Sequence, residues 1–567
     1  MPDAPDAGSN RRPLDPVTVE VVRNKLDGIA NEMQQTLLRA SFSPIVKEGL
    51  DASAGLFTLA GETLAQATAI PMHLSTLIPV MATMLRRFPP DTMRPGDAFL
   101  MNDPYLGGTH LPDIAVVMPI FDGATLAGFS ATMTHHQDMG GMTPGSVPTN
   151  ATEIFQEGLR LPPLKFLDQG TENAVVLEIL RLNVRIPDTV VGDLRAQLSA
   201  CTVGARRVAE LSASLGHGHG QAIFAELLAR SERLTRAALA RIPPGTYRAV
   251  DFLDNDGIEL DRPVRIEVAV TIAPDRFHVD FTGSAAQVKG PFNAVRSSTM
   301  AGVYFALRAL TDPDIPTNGG CFRPVSLLMP EGSVVNPCEP AAVNARTATV
   351  KRIAGCIMAA LKDAMPERAP ADAAGEMLSL TLGGRGADGR PFVTAEMIAG
   401  GSGAGLQADG VDVIETDVTN CMNLPAEAME MEMPFRTHRI ALRPDSGGAG
   451  THRGGLGIVK EYEVLAEEVT MTHRGERHFF AAAGSHGGLA GMKAHSVILR
   501  ANGAEEVIPS KRVTGLRRGD RVVLQTAGGG GFGAPEGRDP AALARDLADG
   551  KVSPEAAAAL YGTKPAK

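Results

Sequence analysis

The sequence predicts a mixed α+β fold of several domains. It has a helical and hairpin N-terminal metal-binding region, a β-rich middle and a Gly-rich, β-containing C-terminal region. Three observations predict this. Apolar residues at helical spacing dominate the first 240 positions, alternating strand patterns begin near Gly245, and glycine-dense short strands run from about 375 onwards. At 567 residues the chain has room for several cores. Hydrophobic residues are 44% and charged residues 21%, a globular balance that excludes wholesale disorder. With 61 Gly and 40 Pro, loops are plentiful; with no Trp, the core relies on aliphatic side chains and Met.

In chain order, residues 1–14 read as a disordered start. Asp15-Pro16 is an N-cap and first-turn pair. Val19, Val22, Leu26, Ile29, Met33 and Leu37 then recur every three or four residues, which predicts an amphipathic helix. A second helix is expected around Leu74, Leu77, Ile78, Met81 and Leu85. Ile114–Phe121 and Ala124–Met133 flank Asp122-Gly123, a strong hairpin signal. Pro119 suggests an edge position for the first of these strands. Residues 193–240 read as long helices, with Gly216-His217-Gly218-His219-Gly220 as a flexible connector. Strands follow from Gly245 to Gly283, with a turn at Pro274-Asp275, and then a helix over about 345–365. The expected organisation is 15–242 (metal-site domain), 243–370 (central α/β region), 371–538 (Gly-rich β region) and 539–567 (small helical tail).

Several chemistries are excluded or disfavoured. The net charge is −10 and no basic run appears, so nucleic acid is not an expected partner. No apolar stretch approaches the length of a membrane span, and the polar start does not read as a secretory leader, so a cytoplasmic protein is expected. The five cysteines are widely spaced and read as inert buried thiols. G-x-x-x-x-G-K-[ST], H-E-x-x-H and G-x-S-x-G are absent. Gly400-Gly401-Ser402-Gly403 and Gly528–Gly531 read as tight turns or close backbone packing. Met429, Met431 and Met433 read as packing, and Lys47 and Glu48 as solvated charges.

Two segments carry chemistry: Asn102–Asp113 and Thr134–Gly141, joined by the hairpin. With the turn at Asp122-Gly123, position 110 falls opposite position 135, and opposed side chains share a face about 5 Å apart. His110 and His135 then suit two imidazoles on one metal ion. Strict alternation turns Asp113 away, but the His-Leu-Pro-Asp turn lets it swing back as an oxygen ligand. A lone strand-end histidine is more often simply hydrogen-bonded, and an Asp beside Pro a turn former. The pair together with Asp113 favours a metal. Such a mixed N/O set suits Zn, Mn or Fe better than Ca or Mg. Asp51, Glu48, Asp103 and Asp138 remain open as further ligands or supporting groups.

Over about 15–562 the chain resembles the hydantoinase B/5-oxoprolinase family, the B-type subunits of N-methylhydantoinases. The resemblance rests on Asn102–Asp113, His135–Gly141, Glu153–Arg160 with Pro162-Pro163, and Gly192-Asp193-Leu194 with Ala196-Gln197. Further residues carrying it are Gly290–Ala294, Asn336-Pro337, Ala341–Thr347, Asp445–Gly450 with Arg453-Gly454-Gly455, and Gly528–Gly533. It implies a metal set of His110, Asp113 and His135, completed by Asp51. It implies an A-type ATPase partner that binds ATP and phosphorylates a cyclic amide (a hydantoin, 5-oxoproline or another lactam), in a hetero-oligomer such as A2B2. This chain would then open the ring with a metal-activated water, with Asp138 or Glu157 as general base. Related acetone and acetophenone carboxylases carboxylate a ketone instead, and a non-catalytic scaffold for the A-type partner is a third reading. One departure stands out. Many relatives read Lys-Glu-Arg-x-Asp-Phe-Ser-Cys where this chain reads Lys47-Glu48-Gly49-Leu50-Asp51-Ala52-Ser53-Ala54, without the Arg.

Overall fold

A computed structural model describes residues 14–375 and 377–562. Of the expected disordered start only Leu14 falls within these residues, where it packs against the core. The fold is α+β, with antiparallel pairing throughout its sheets except for one parallel pair.

Asp15 caps the first helix, Pro16–Ala40, accepting hydrogen bonds from the backbone N–H groups of Val17 and Thr18. The helix buries Val19, Val22, Leu26, Ile29, Met33 and Leu37, the stripe its spacing predicts. It packs on the helix Pro187–Leu215 so closely that a Cβ on Gly204 would lie 2.3 Å from Met33 Sδ. The second expected helix is Pro71–Arg87. The expected flexible connector is instead a single break. Pro187–Leu215 ends at Gly216, whose φ is 77°, and His217 already begins the helix His217–Leu239.

A seven-stranded sheet lies at the centre of the N-terminal half, in the order Thr63–Gln66, Ala52–Phe57, Thr125–His135, Asp113–Asp122, Ala98–Met101, Leu164–Asp168 and Thr171–Glu172. The strand Asp113–Asp122 is therefore interior, not an edge. Pro119 is tolerated because pairing with Ala98–Met101 stops at Val117, so no ladder donor is lost there. The hairpin turn also differs from the expectation. Asp122 pairs with Thr125, so the turn is Gly123-Ala124, and Ala127 is an extra residue before Gly128 pairs with Ile120. Moving the turn by one residue shifts every partner by two, and the bulge adds one more. His135 therefore faces Asp113, not His110.

Three further sheets follow. One, of four strands, holds Gly245–Leu253, Val264–Ala273, Arg276–Asp280 and Val325–Leu328. The helices Arg296–Leu310 and Arg346–Leu361 contribute Val303, Leu307, Ile353 and Ile357 to the same core. The other two sheets, of four and five strands, share a core of residues from Leu378 to Leu524. Beside them glycine-rich extended segments lie backbone against backbone. Gly529 N–H donates to Gly455 O at 3.0 Å, and Gly448 N–H donates to Gly529 O at 2.9 Å. A Cβ on Gly529 would fall 1.9 Å from Ser402 O. The expected tail consists of the helices Pro540–Ala548 and Pro554–Tyr561. Among the described residues no helix is long and apolar enough to cross a membrane. Of the cysteines expected to be buried, Cys338 is exposed and the other four are buried.

Two glycine substitutions should separate packing from propensity. Gly529→Ala forces backbone apart and should destabilise by about 3 kcal/mol or more. Gly28→Ala, on the open face of the first helix with nothing near its added Cβ, should stabilise by about 0.5–1 kcal/mol. Denaturant unfolding of both variants measures this.

Candidate metal centre

Asp113 opens one hairpin strand and His135 ends the other, and the register sets them face to face. Directly opposed side chains point to the same side of a sheet. His110 lies outside the strand, in a turn closed by Asp113 N–H donating to His110 O at 3.1 Å. That turn folds the imidazole back over the carboxylate. Asn102 fixes the loop from below, donating from Nδ2 to Leu111 O at 2.7 Å and accepting at Oδ1 from Leu161 N–H. His136 N–H donates to Pro112 O, and His135 N–H to Asp51 O at 3.1 Å, tying both edges to the hairpin mouth.

The result is a buried group of His110, Asp113 and His135, with one ligand atom of each lying within 4.8 Å of the others. The two imidazole rings are 5.0 Å apart. His110 Nδ1 lies 3.0 Å from the Asn344 carbonyl, which can only accept, so the ring proton sits on Nδ1 and Nε2 carries a lone pair. That lone pair is 3.2 Å from Asp113 Oδ1. Burial and the neighbouring Arg346 guanidinium push the His110 imidazole down to about 4, so no second proton relieves the contact near neutral pH. His110 Nε2, Asp113 Oδ1 and His135 Nδ1 are all buried without a hydrogen-bond partner among the described residues. Two facing lone pairs in a dry site call for a cation between them. The nitrogen and oxygen donors fit a divalent transition-metal ion.

Three neighbours that the sequence did not single out as site residues, Arg346, Thr109 and His73, complete the surroundings of Asp113. Arg346 Nη2 donates to Asp113 Oδ2 at 2.7 Å, and Thr109 Oγ1 donates to the same oxygen. Burial works against the Asp113 charge, but His73 and the Arg346 guanidinium outweigh it and hold the carboxyl well below its usual range. His73, in the first turn of Pro71–Arg87, sets Nε2 3.5 Å from Asp113 Oδ1 and 3.6 Å from Asp51 Oδ1. Burial depresses His73, yet the two carboxylates more than offset it and raise the imidazole above its ordinary value. Asp51 is thus linked to Asp113 through His73, and burial raises its carboxyl to about 6. The only signal of His73 in sequence is a histidine two residues after Pro71.

The two expected bases sit in other networks. Asp138 accepts from Gly140 N–H, Gly145 N–H and Arg185 N–H and pairs with Arg185 Nη1 at 2.9 Å, so its carboxylate is committed to shaping the following loop. Glu157 Oε1 accepts from Val343 N–H, Asn344 N–H and Asn344 Nδ2, and its Oε2 is buried without a partner among the described residues. Glu157 therefore clamps the residue whose carbonyl orients His110. Of the other open candidates, Asp103 pairs with Arg160 at 2.8 Å and Glu48 is exposed. His136 Nε2 lies 3.0 Å from Gln197 Oε1 on the neighbouring helix.

Residues 15–535 match the hydantoinase B/oxoprolinase family. A putative D-/L-hydantoinase subunit from a Pseudomonas species is 33% identical over 97% of this chain and 95% of its own length. The Arabidopsis thaliana 5-oxoprolinase 1 is 31% identical over 92% of this chain but only 42% of its own length. The crystal structure of the ATP-dependent caprolactamase from Pseudomonas jessenii superposes with a TM-score of 0.89 at 31% identity, covering 97% of this chain and 96% of that one.

Burial pushes the Glu157 carboxyl up to about 8 against the hydrogen bonds that favour its charge. Between the usual carboxyl range and pH 8 the folded chain then holds a proton that the unfolded chain has lost. Stability contributed by this group should fall as pH rises through that window. Glu157→Gln should flatten that part of the stability–pH curve, measured by unfolding at pH 5 and pH 8.

Proposed function

The chain belongs to the hydantoinase B/oxoprolinase family, and from that premise we propose that it is the metal-bearing subunit of an ATP-dependent cyclic-amide hydrolase. The observation that carries this reading is the buried pair of facing lone pairs, His110 Nε2 and Asp113 Oδ1, beside His135. His110, Asp113 and His135 would hold a Zn, Mn or Fe ion, with Asp51 completing the set. When bound, such an ion supplies Lewis acidity and lowers the pKa of water towards about 7.

The chain's own residues have separable tasks. Arg346 and Thr109 occupy the outer oxygen of Asp113 and so fix which oxygen faces the histidines. His73 holds a proton between Asp51 and Asp113, easing the repulsion of two buried carboxylates. Glu157 is a positioning residue: it clamps Asn344, and Asn344 sets the tautomer and tilt of His110. Burial of the triad keeps bulk water from competing for the reacting atoms.

ATP chemistry belongs to an A-type partner in this reading. The chain has no phosphate loop. Its relative in Pseudomonas is named as one subunit, while the plant 5-oxoprolinase is more than twice the length that this chain matches. Phosphorylation of the amide oxygen by the partner would turn a poor electrophile into one with a good leaving group. Ring opening would follow here. The need for ATP also fits a cytoplasmic setting.

The test is reconstitution of the chain with its ATPase partner, assayed on hydantoin, 5-oxoproline and caprolactam with and without bicarbonate. ATP-dependent ring opening that does not require bicarbonate is expected. His110→Ala and His135→Ala should each abolish it and lose the metal, with the partner still binding nucleotide. ATP turnover that requires bicarbonate would place the chain with ketone carboxylation instead, and full activity in both variants would leave it a scaffold.

A further inference from the structure

Met377–Arg385, Pro391–Ala399 and Glu468–Arg474 are neighbouring strands of one C-terminal sheet. Thr381 stands opposite Ala395 and Thr472, and Ser379 opposite Met397 and Arg474. Opposed residues share a face, as do residues two apart on a strand, so all six lie on one face. That face covers the loop leaving His135. Gln137 Nε2 donates to Val393 O, and a Cβ on Gly145 would lie 2.5 Å from Thr381 Cγ2. Ala395 and Met397 share a core with Ala52 and Val46.

Arg474 is 5% exposed, a depth at which a guanidinium is ordinarily paired with a carboxylate. Among the described residues it has no such partner, and its hydrogen bonds go to Asn344 alone, from Nη1 to O at 3.3 Å and to Oδ1 at 3.4 Å. The Asn344 carbonyl is also the acceptor for His110 Nδ1 and Arg346 Nη1. Arg474 and the imidazole of the metal centre thus share one acceptor. Glu157 spends Oε1 on Val343 and Asn344 and makes no ion pair with Arg474.

Two nitrogens of Arg474, Nε and Nη2, have no partner among the described residues. Neither is sealed in as Arg346 Nε is; both keep accessible surface. Nε–H and one Nη2–H leave the guanidinium in parallel, spaced for two oxygens of a single oxyanion. Burial and the neighbouring Arg346 push the Arg474 guanidinium down to about 9, so it stays charged near neutral pH. Two buried guanidiniums therefore meet at one carbonyl, and one carboxylate, Asp113, pairs with them. A buried charge without a counterion is costly, and a bound anion offsets it.

We propose that the Nε–Nη2 edge of Arg474 is an oxyanion subsite beside the metal centre, taking two oxygens of a phosphoryl or carboxylate group. The subsite stands on the geometry of this chain. Its assignment to the phosphoryl group that the partner adds to the ring rests on the cyclic-amide reading above.

Inorganic phosphate, bicarbonate and acetate serve as probes, titrated calorimetrically into the full-length chain. Arg474→Lys keeps the charge but loses the paired donors, and Arg474→Gln loses the charge as well. The lysine variant carries the test if the glutamine variant fails to fold. Phosphate binding should weaken about tenfold or more in each, with metal content unchanged. Phosphate should also raise the melting temperature of the wild type and of neither variant. Tightest binding of phosphate assigns the subsite to a phosphoryl group, and tightest binding of bicarbonate or acetate to a carboxylate; with the same dependence on Arg474, either upholds it. In the complex with the ATPase partner, ring opening should fall in the lysine variant while nucleotide binding holds. An arginine that merely props Asn344 would lower the melting temperature of the variants and leave every anion affinity as in the wild type. That result, or a wild type that binds none of the three anions, would overturn the subsite and leave the cyclic-amide reading standing if the wild-type complex still opens rings. A complex that opens none, while phosphate binding still depends on Arg474, would overturn the cyclic-amide reading alone.

Discussion

Asp113 stands opposite His135 because the hairpin turns at Gly123-Ala124 and carries one extra residue at Ala127. Side chains in a strand alternate faces, so a slip of one residue would send His135 to the far side of the sheet. It would also unseat Asp51, whose carbonyl receives the His135 N–H. The neighbouring strand Ala52–Phe57 pairs along the same strand from Thr134 to Phe129, which locks that register from the other side. The bulge is thus the local irregularity on which the geometry of the centre depends.

The electrostatics follow from that placement. His73, His110, Asp113, His135 and Arg346 are drawn together where water is excluded, and Asp51 joins them through His73. Asp113 remains charged because Arg346 and the protonated His73 face it, whereas Asp51, more weakly supported, has its carboxyl raised. A buried carboxylate beside a neutral imidazole whose lone pair points at it is costly as a structural ornament. It is well suited to a cation site. Glu157 and Asn344 extend the arrangement outward, so the orientation of His110 depends on a loop far along the chain.

Much of this is legible from local signals. The spacing of Val19 to Leu37 announces the first helix, and Asp15-Pro16 its start. The motif around His110 and Asp113, with His135 across a hairpin, identifies the triad even though the pairing inferred from Asp122-Gly123 is three positions off. Turn position is decided by which residues tolerate the twist, and a bulge leaves no mark in the sequence beyond Gly128. The helix Arg296–Leu310 is hidden because its buried face includes Ser297, Ser298 and Thr299, which blur the apolar stripe. Arg346 lies 233 residues from the carboxylate it meets, and His73 reaches the site from a helix whose apolar face masks it. Only tertiary packing brings these two in, and no local pattern reports it. Asp51 is singled out among the open carboxylates only by the family resemblance.

The central claim is that His110, Asp113 and His135 bind a metal ion directly. Crystals of the chain prepared with a stoichiometric divalent ion, with diffraction recorded above and below that metal's absorption edge, test it most directly. The account predicts one anomalous peak per chain within bonding distance of His110 Nε2 and Asp113 Oδ1, with His110 Nδ1 still donating to the Asn344 carbonyl. A well-ordered triad without a peak, in crystals where the metal appears elsewhere or not at all, would contradict it.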